Sequence, residues 1–183
     1  KELENISDDF SKVIQTKIIQ MWTSKLGLKT FDVNLFNELL MLMIETSVDY
    51  TILFRELSHI PEDISPLTKS FYGDSIYDKN VLEKWSVWFE KWKVLINITT
   101  LESREELSHR MKQINPKYTL REWFLVPAYK EAQKGDYSLI LELQEVMTDP
   151  YAEHSQAVEE KYYREKPSEF FEIAGISHIT CSS

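Results

Sequence analysis

A mainly α-helical fold is predicted by three features of this sequence. Apolar residues recur at a period of about 3.6 along most of the chain. Ser, Thr and Asp stand where helix starts need side-chain acceptors. Only 4 Gly and 6 Pro punctuate 183 residues, fewer than a turn-rich sandwich or barrel would need. The length suits one domain, because a chain of this size buries roughly 70% of its unfolded surface. Hydrophobic residues at 43% and aromatics at 13% point to a packed core rather than disorder.

The first helix is predicted over residues 7–26, with Ser7 as its cap, Asp8 and Asp9 at its positive end and Gly27 closing it. Phe10, Ile14, Ile18, Met21 and Trp22 share its apolar face. A second helix, residues 32–46, carries apolar side chains almost all round (Leu35, Phe36, Leu39, Leu40, Leu42, Met43, Ile44), the pattern of a central, buried helix. Asp49 caps a third over 49–58, with Tyr50, Leu53, Phe54 and Leu57 on one side. Pro61, Pro66 and Gly73 break the period, so residues 59–77 form a long surface loop.

The fourth helix covers 78–96, and Trp85, Trp88, Trp92 and Leu95 form its inward stripe beside Phe89. Three indoles at helical spacing read as aromatic core, each N–H finding a partner. Ser103 with Glu106 makes a capping box for a helix over 103–114, which the Asn115-Pro116 pair stops. Thr119 with Glu122 makes another, for 119–134, carrying Leu120, Trp123, Phe124, Ala128 and Ala132; Pro127 predicts a kink or break there. Asp136 opens a helix over 136–148 with Ile140, Leu143 and Met147 inward. A short helix follows around Gln156 to Tyr163, then a tail over 164–183.

Lys and Arg number 21 against 30 acidic residues, a net charge of −9, which argues against a phosphate-tracking nucleic-acid binder and against an anionic membrane surface. No apolar run nears the length of a membrane span. The chain starts at Lys1 with no signal-peptide pattern, the look of an excerpt whose targeting segment would lie upstream.

Catalytic machinery is hard to find. The 4 histidines (His59, His109, His154, His178) include no pair four residues apart on one helix, and no HExxH occurs. The 4 glycines stand apart, so no phosphate-cradling loop exists, and no nucleophile elbow does either. Glu105-Glu106 and Glu159-Glu160 read as solvated helix faces, since adjacent helical side chains diverge by about 100°. The single cysteine, Cys181, excludes an internal disulfide, and His178 beside it lacks a group to orient its ring. No catalytic, cofactor-binding or metal-ligating residue is assigned.

Several stretches carry a resemblance. Asn115-Pro116-Lys117-Tyr118-Thr119-Leu120-Arg121 is similar to the NPKxxLR motif of the selenoprotein O family. Gly135-Asp136-Tyr137-Ser138, Leu143 and then Asp149-Pro150-Tyr151 resemble that family's GDY segment and its later turn. Val48-Asp49-Tyr50-Thr51 with Phe54-Arg55 and Leu57 looks like its D-Y-T-x-x-F-R-x-L helix, and Trp88 to Trp92 occupies the place of its W-x-x-x-W/Y segment. The chain ends in Cys181-Ser182-Ser183, where family members end in Cys-Ser-Ser or selenocysteine-Ser-Ser. The order is correct from Asp49 to Ser183, while the first forty-odd residues fit by helical pattern alone. One departure is Glu122-Trp123-Phe124-Leu125-Val126-Pro127, where the family continues with a polar residue and an alanine-rich helix.

This resemblance implies the C-terminal, multi-helix accessory region of an enzyme with a kinase-like (pseudokinase) fold that moves AMP from ATP to protein Ser, Thr or Tyr hydroxyls. The family's ligands for ATP and Mg lie in its N-terminal and middle portions, and none maps onto residues 1–183. The partners implied are that kinase-like part and the parent's protein substrates. The compartment implied is the mitochondrion in a eukaryote and the cytoplasm in a bacterium. Cys181 takes the family's redox-active terminal position. The alternative is a free-standing helical module that binds a protein and catalyses nothing.

Overall fold

The computed structural model describes residues 2–73 and 77–170, and for residues 2–9 and 169 the backbone alone. Among the described residues eight α-helices follow one another: α1 (Glu2–Lys25), α2 (Val33–Thr46), α3 (Tyr50–Leu57), α4 (Lys79–Ile96), α5 (Leu101–Ile114), α6 (Glu122–Ala132), α7 (Ser138–Thr148) and α8 (Gln156–Tyr162). Among the described residues the only β-pairing is an isolated bridge between Val48 and Phe71. No helix among them is long and apolar enough to cross a membrane.

The cap read at Asp49 is in place, and the helices read from residues 32 and 78 start one residue later with those aspartates as caps. Asp32, Asp49 and Asp78 each accept a hydrogen bond from a backbone N–H of the first turn they precede. Others move. Ser7 lies inside α1, which starts at Glu2. Thr100, not Ser103, caps α5, and the capping box pairs Thr100 with Ser103 rather than Ser103 with Glu106. Helix α6 starts at Glu122 without a side-chain cap and runs on through Pro127 to Ala132 as one helix. Asp136 accepts from the Ser138 N–H at 2.9 Å as a turn two residues ahead of α7.

Packing forms two apolar clusters. The larger joins the end of α1, α2, α3, α4 and α5 around Leu26, Leu39, Phe54, Trp88, Trp92 and Met111. The smaller gathers Ile52, Tyr118, Trp123, Phe124, Leu143 and Tyr162. The central helix is therefore α3 and not α2. Residues Thr51 to Arg55 and Leu57 of α3 are all buried, whereas α2 leaves Val33, Met41 and Ile44 exposed. The loop predicted over 59–77 is anchored rather than free: it holds a 3₁₀ helix, Ser65–Ser70, and buries Leu67 and Phe71.

The α4 indoles are core, each with its N–H satisfied. Trp85 donates to the Thr46 hydroxyl at 2.8 Å, Trp88 to the Leu35 carbonyl at 3.0 Å and Trp92 to the Leu26 carbonyl at 2.8 Å. The Leu26 oxygen lies just past the end of α1, where helix carbonyls lack internal partners. Leu95, expected inward, is exposed. Gly27 turns the chain at φ +66°, and a Cβ there would meet the Met111 sulfur at 2.6 Å, so both the turn and the contact require glycine. The divergent segment after Arg121 folds as helix and buries Trp123, Phe124 and Ala128 in the smaller cluster.

Candidate functional site

The motif segments meet at one place, between the two clusters. Asp49 and Arg121 are both buried and form a two-point ion pair, Arg121 Nη2 donating to Asp49 Oδ1 at 2.9 Å and Nη1 to Oδ2. Asp49 Oδ1 also accepts the Ile52 N–H at 3.0 Å, and Oδ2 accepts the Tyr72 hydroxyl at 3.2 Å. Burial alone would lower the Arg121 pKa; the Asp49 carboxylate outweighs it and raises the value. One carboxylate thus caps α3 and holds the start of α6.

Arg55 performs the complementary task at helix ends. Its Nη1 donates to the carbonyls of Lys112 and Asn115, both at 3.1 Å, and Nη2 to the Tyr151 carbonyl at 3.1 Å and Glu153 at 2.6 Å. The Lys112 carbonyl belongs to the last turn of α5, one of the acceptors that the helix cannot satisfy itself. Lys117 bridges Glu153 at 2.5 Å and Glu159 at 2.9 Å. The Pro150 carbonyl accepts the N–H groups of Lys117 and Tyr118 at 2.9 and 3.0 Å, which docks the Asp149-Pro150-Tyr151 turn. Burial pushes the Glu153 carboxyl up, but the hydrogen bonds from Lys117 and Arg55 prevail and hold it at about 2.

Asn115 is the third anchor. Its Oδ1 accepts from Lys25 Nζ at 2.7 Å, while Nδ2 donates to the Lys25 carbonyl and the Ser58 hydroxyl, both at 2.9 Å. The C-terminal ends of α1, α3 and α5 converge here, and the cations Lys25, Arg55 and Lys117 offset their partial negative charge. Lys25 lies over the rings of Phe54 at 4.8 Å and Tyr50 at 5.0 Å, with no carboxylate in ion-pair range among the described residues. Burial lowers its pKa to about 8.

That lowering has a testable sign. The unfolded lysine keeps its proton to about pH 10.5, the folded one to about 8, so between these values the unfolded state binds more protons. Folding stability from this group should therefore rise from about pH 8 to pH 10, by up to about 3 kcal/mol. Raised tyrosines, Tyr72 among them, act in the opposite sense and only above about pH 10. Urea unfolding at about pH 7.5 and pH 9.5 measures the slope. Lys25→Met should flatten it, and an unchanged slope would assign it elsewhere.

Chemically this constellation holds charges still. Lys117 is kept protonated between two carboxylates and Glu153 ionised between two cations, so neither offers a proton or a lone pair near neutral pH. Glu165 differs: burial, and then the Asp49 charge, raise it to about 7. It borders a cleft with Lys69, Tyr72, Tyr163, Lys166 and Ser168. No group of three His, Cys, Asp or Glu among the described residues is placed to hold a metal ion. The donors here do not suit Mg-bound ATP: the network carboxylates are already engaged by Arg and Lys.

His59 and His109 are exposed, and His154 lies edge-on to Tyr118 with ring centroids at 5.2 Å. Cys181 and His178 lie outside the described residues. Glu159 is a correction: expected on a solvated face, it pairs with Lys117. Sequence reasoning missed Lys25, Asn115 and Glu153 as anchors. The available signal lay in the motif segments, which carry Asp49, Arg55, Asn115, Lys117 and Arg121.

Comparison with known proteins agrees with the motifs. A family model described as Protein adenylyltransferase SelO matches residues 1–148, so the likeness starts at the first residue and not at Asp49. Proteins named Protein nucleotidyltransferase YdiU align along the chain. That of Flavobacterium johnsoniae is 32% identical over 192 residues, covering 100% of this chain and 35% of its own length. That of Vibrio parahaemolyticus is 30% identical, covering 100% and 36%, and that of Pseudomonas fluorescens 33% identical, covering 84% and 30%. The chain spans about a third of the curated relatives it matches. Buried motif residues, matched family and matched relatives point the same way: the chain belongs to the SelO family of protein adenylyltransferases.

Proposed function

We propose that this chain is the C-terminal helical portion of a protein adenylyltransferase, which transfers AMP from ATP to Ser, Thr or Tyr hydroxyls of proteins. This portion is structural: it braces a kinase-like part of the same polypeptide, which supplies the ATP and Mg ligands and meets the protein substrates. The observation that carries the reading is the family match over 1–148, joined to a motif network in which Asp49 caps α3 and Arg55 binds a carbonyl in the last turn of α5. The enzyme would work in the mitochondrion of a eukaryote or the cytoplasm of a bacterium.

Regulation by the tail belongs to the same reading. Cys181 forms a reversible disulfide with a cysteine elsewhere in the parent, by exchange with a small disulfide that carries away the electron pair as two thiols. The support is the Cys-Ser-Ser ending and the lack of another cysteine in these 183 residues. Labelled AMP transfer by the full-length parent, with and without thiol reductant, tests both points. The parent should transfer AMP and gain about severalfold with reductant, and Cys181→Ser should be active in both conditions. A parent without AMP transfer contradicts the enzyme reading. Equal reductant sensitivity of both proteins makes the tail a passive terminus.

A further inference from the structure

Helix α1 carries an apolar stripe that the rest of the described fold does not cover. Phe10, Val13, Ile14, Ile18 and Met21 fall at helical spacing on one face, and all are exposed, Phe10 at 65% and Ile18 at 47%. The stripe runs without a break into Trp22 and Leu26, which belong to the larger cluster: Trp22 packs on Phe36 and Phe54 with ring centroids at 4.6 and 5.7 Å. The body therefore holds the last turns of α1, and the preceding turns present large side chains to solvent. Single exposed apolar residues are ordinary; five aligned on one helix face are the form of a binding surface.

We propose that this stripe docks into an apolar groove on the catalytic portion of the same polypeptide. The inference rests on the reading of the chain as one part of a longer enzyme and names the contact between the parts. Two observations select this occupant over a second copy. The relatives align with the whole of this chain yet extend to nearly three times its length, so most of their polypeptide is available to cover α1. The stripe is also small. Residues 10–21 span roughly 18 Å of helix, and a face about 10 Å wide gives on the order of 200 Å². A stable association of separate chains needs about 800 Å² on each partner. Within one polypeptide, linkage supplies the effective concentration that so small a patch needs.

Cysteine accessibility in the full-length parent decides it, with Phe10→Cys and Ile14→Cys each introduced beside Cys181→Ser. A maleimide reagent is applied to dilute protein, modification at the introduced position is followed by peptide mass spectrometry, and the same protein in denaturant gives the open rate. Each position should react at least about tenfold more slowly in the folded parent, at a mass that light scattering shows to be a monomer. Reaction within about twofold of the open rate overturns the docking. Protection that disappears on dilution, together with a dimer mass, overturns it too, in favour of a second copy. AMP transfer measured on the same samples separates the two readings. An inactive parent with protected positions fails the enzyme reading alone, and an active parent with open positions fails the docking alone.

Discussion

Replacing Asp49 with alanine is expected to destabilise the fold by about 3–5 kcal/mol, because it leaves the buried Arg121 guanidinium without its counter-charge. The same change removes the cap of α3, worth about 1 kcal/mol on its own, and the acceptor of the Tyr72 hydroxyl. For a domain of this size each kcal/mol moves the melting midpoint by about 2–4 °C, so a fall of roughly 10 °C should appear in helical circular dichroism. Removing both partners, Asp49→Ala with Arg121→Met, should cost less than the sum of the two single changes, since no charge is then stranded. Additive losses would mean that the pair is two independent packing contacts.

The next largest effect is expected at Trp92. Its indole fills the centre of the larger cluster, stacks against Trp88 at 6.4 Å and donates to the Leu26 carbonyl at 2.8 Å. Trp92→Ala should cost about 3–5 kcal/mol in urea unfolding from lost burial and the cavity left behind. Trp92→Phe keeps most of the apolar contact and loses only the N–H, which strands a buried carbonyl at about 1–3 kcal/mol. Phenylalanine should thus recover about half of the alanine loss. Full recovery would show that the bond from α4 to the end of α1 carries nothing.

Helix starts were legible where a carboxylate precedes an apolar period, as at Asp32, Asp49 and Asp78. They were not legible where two hydroxyls compete or where tertiary contacts decide. Thr119 fits a capping pattern, but Arg121 is held by Asp49, and the Thr119 hydroxyl lies 3.3 Å from that of Thr51. The local signal loses to a partner far away in sequence. The central helix was missed for a related reason: Thr51 and Arg55 make α3 look amphipathic, yet the Thr51 hydroxyl and both Arg55 Nη groups find partners inside the fold. Apolar residues round α2 suggested full burial, and part of that surface is exposed.

The charged junction was legible as motifs and illegible as a site. Asp49 and Arg121 lie 72 residues apart, and one sequence carries no signal that pairs them. Lys25 is harder still, ending a helix in the ordinary position for a surface lysine while its ammonium sits against Asn115 and two aromatic rings. The stripe of α1 was legible as an apolar face, but its exposure along Phe10, Ile14, Ile18 and Met21 was not. Periodicity reports that a face seeks cover, not where the cover is.

On the proposed reading, the motif residues brace the fold and take no part in AMP transfer. The most direct test sets kcat against the melting midpoint in the full-length parent carrying Arg121→Lys, which keeps the charge and loses the two-point geometry. At a temperature well below the midpoint, kcat should stay within about twofold of the parent value while the midpoint falls by several degrees. A loss of about a hundredfold in kcat with an unchanged midpoint would place Arg121 in the chemistry and contradict the account.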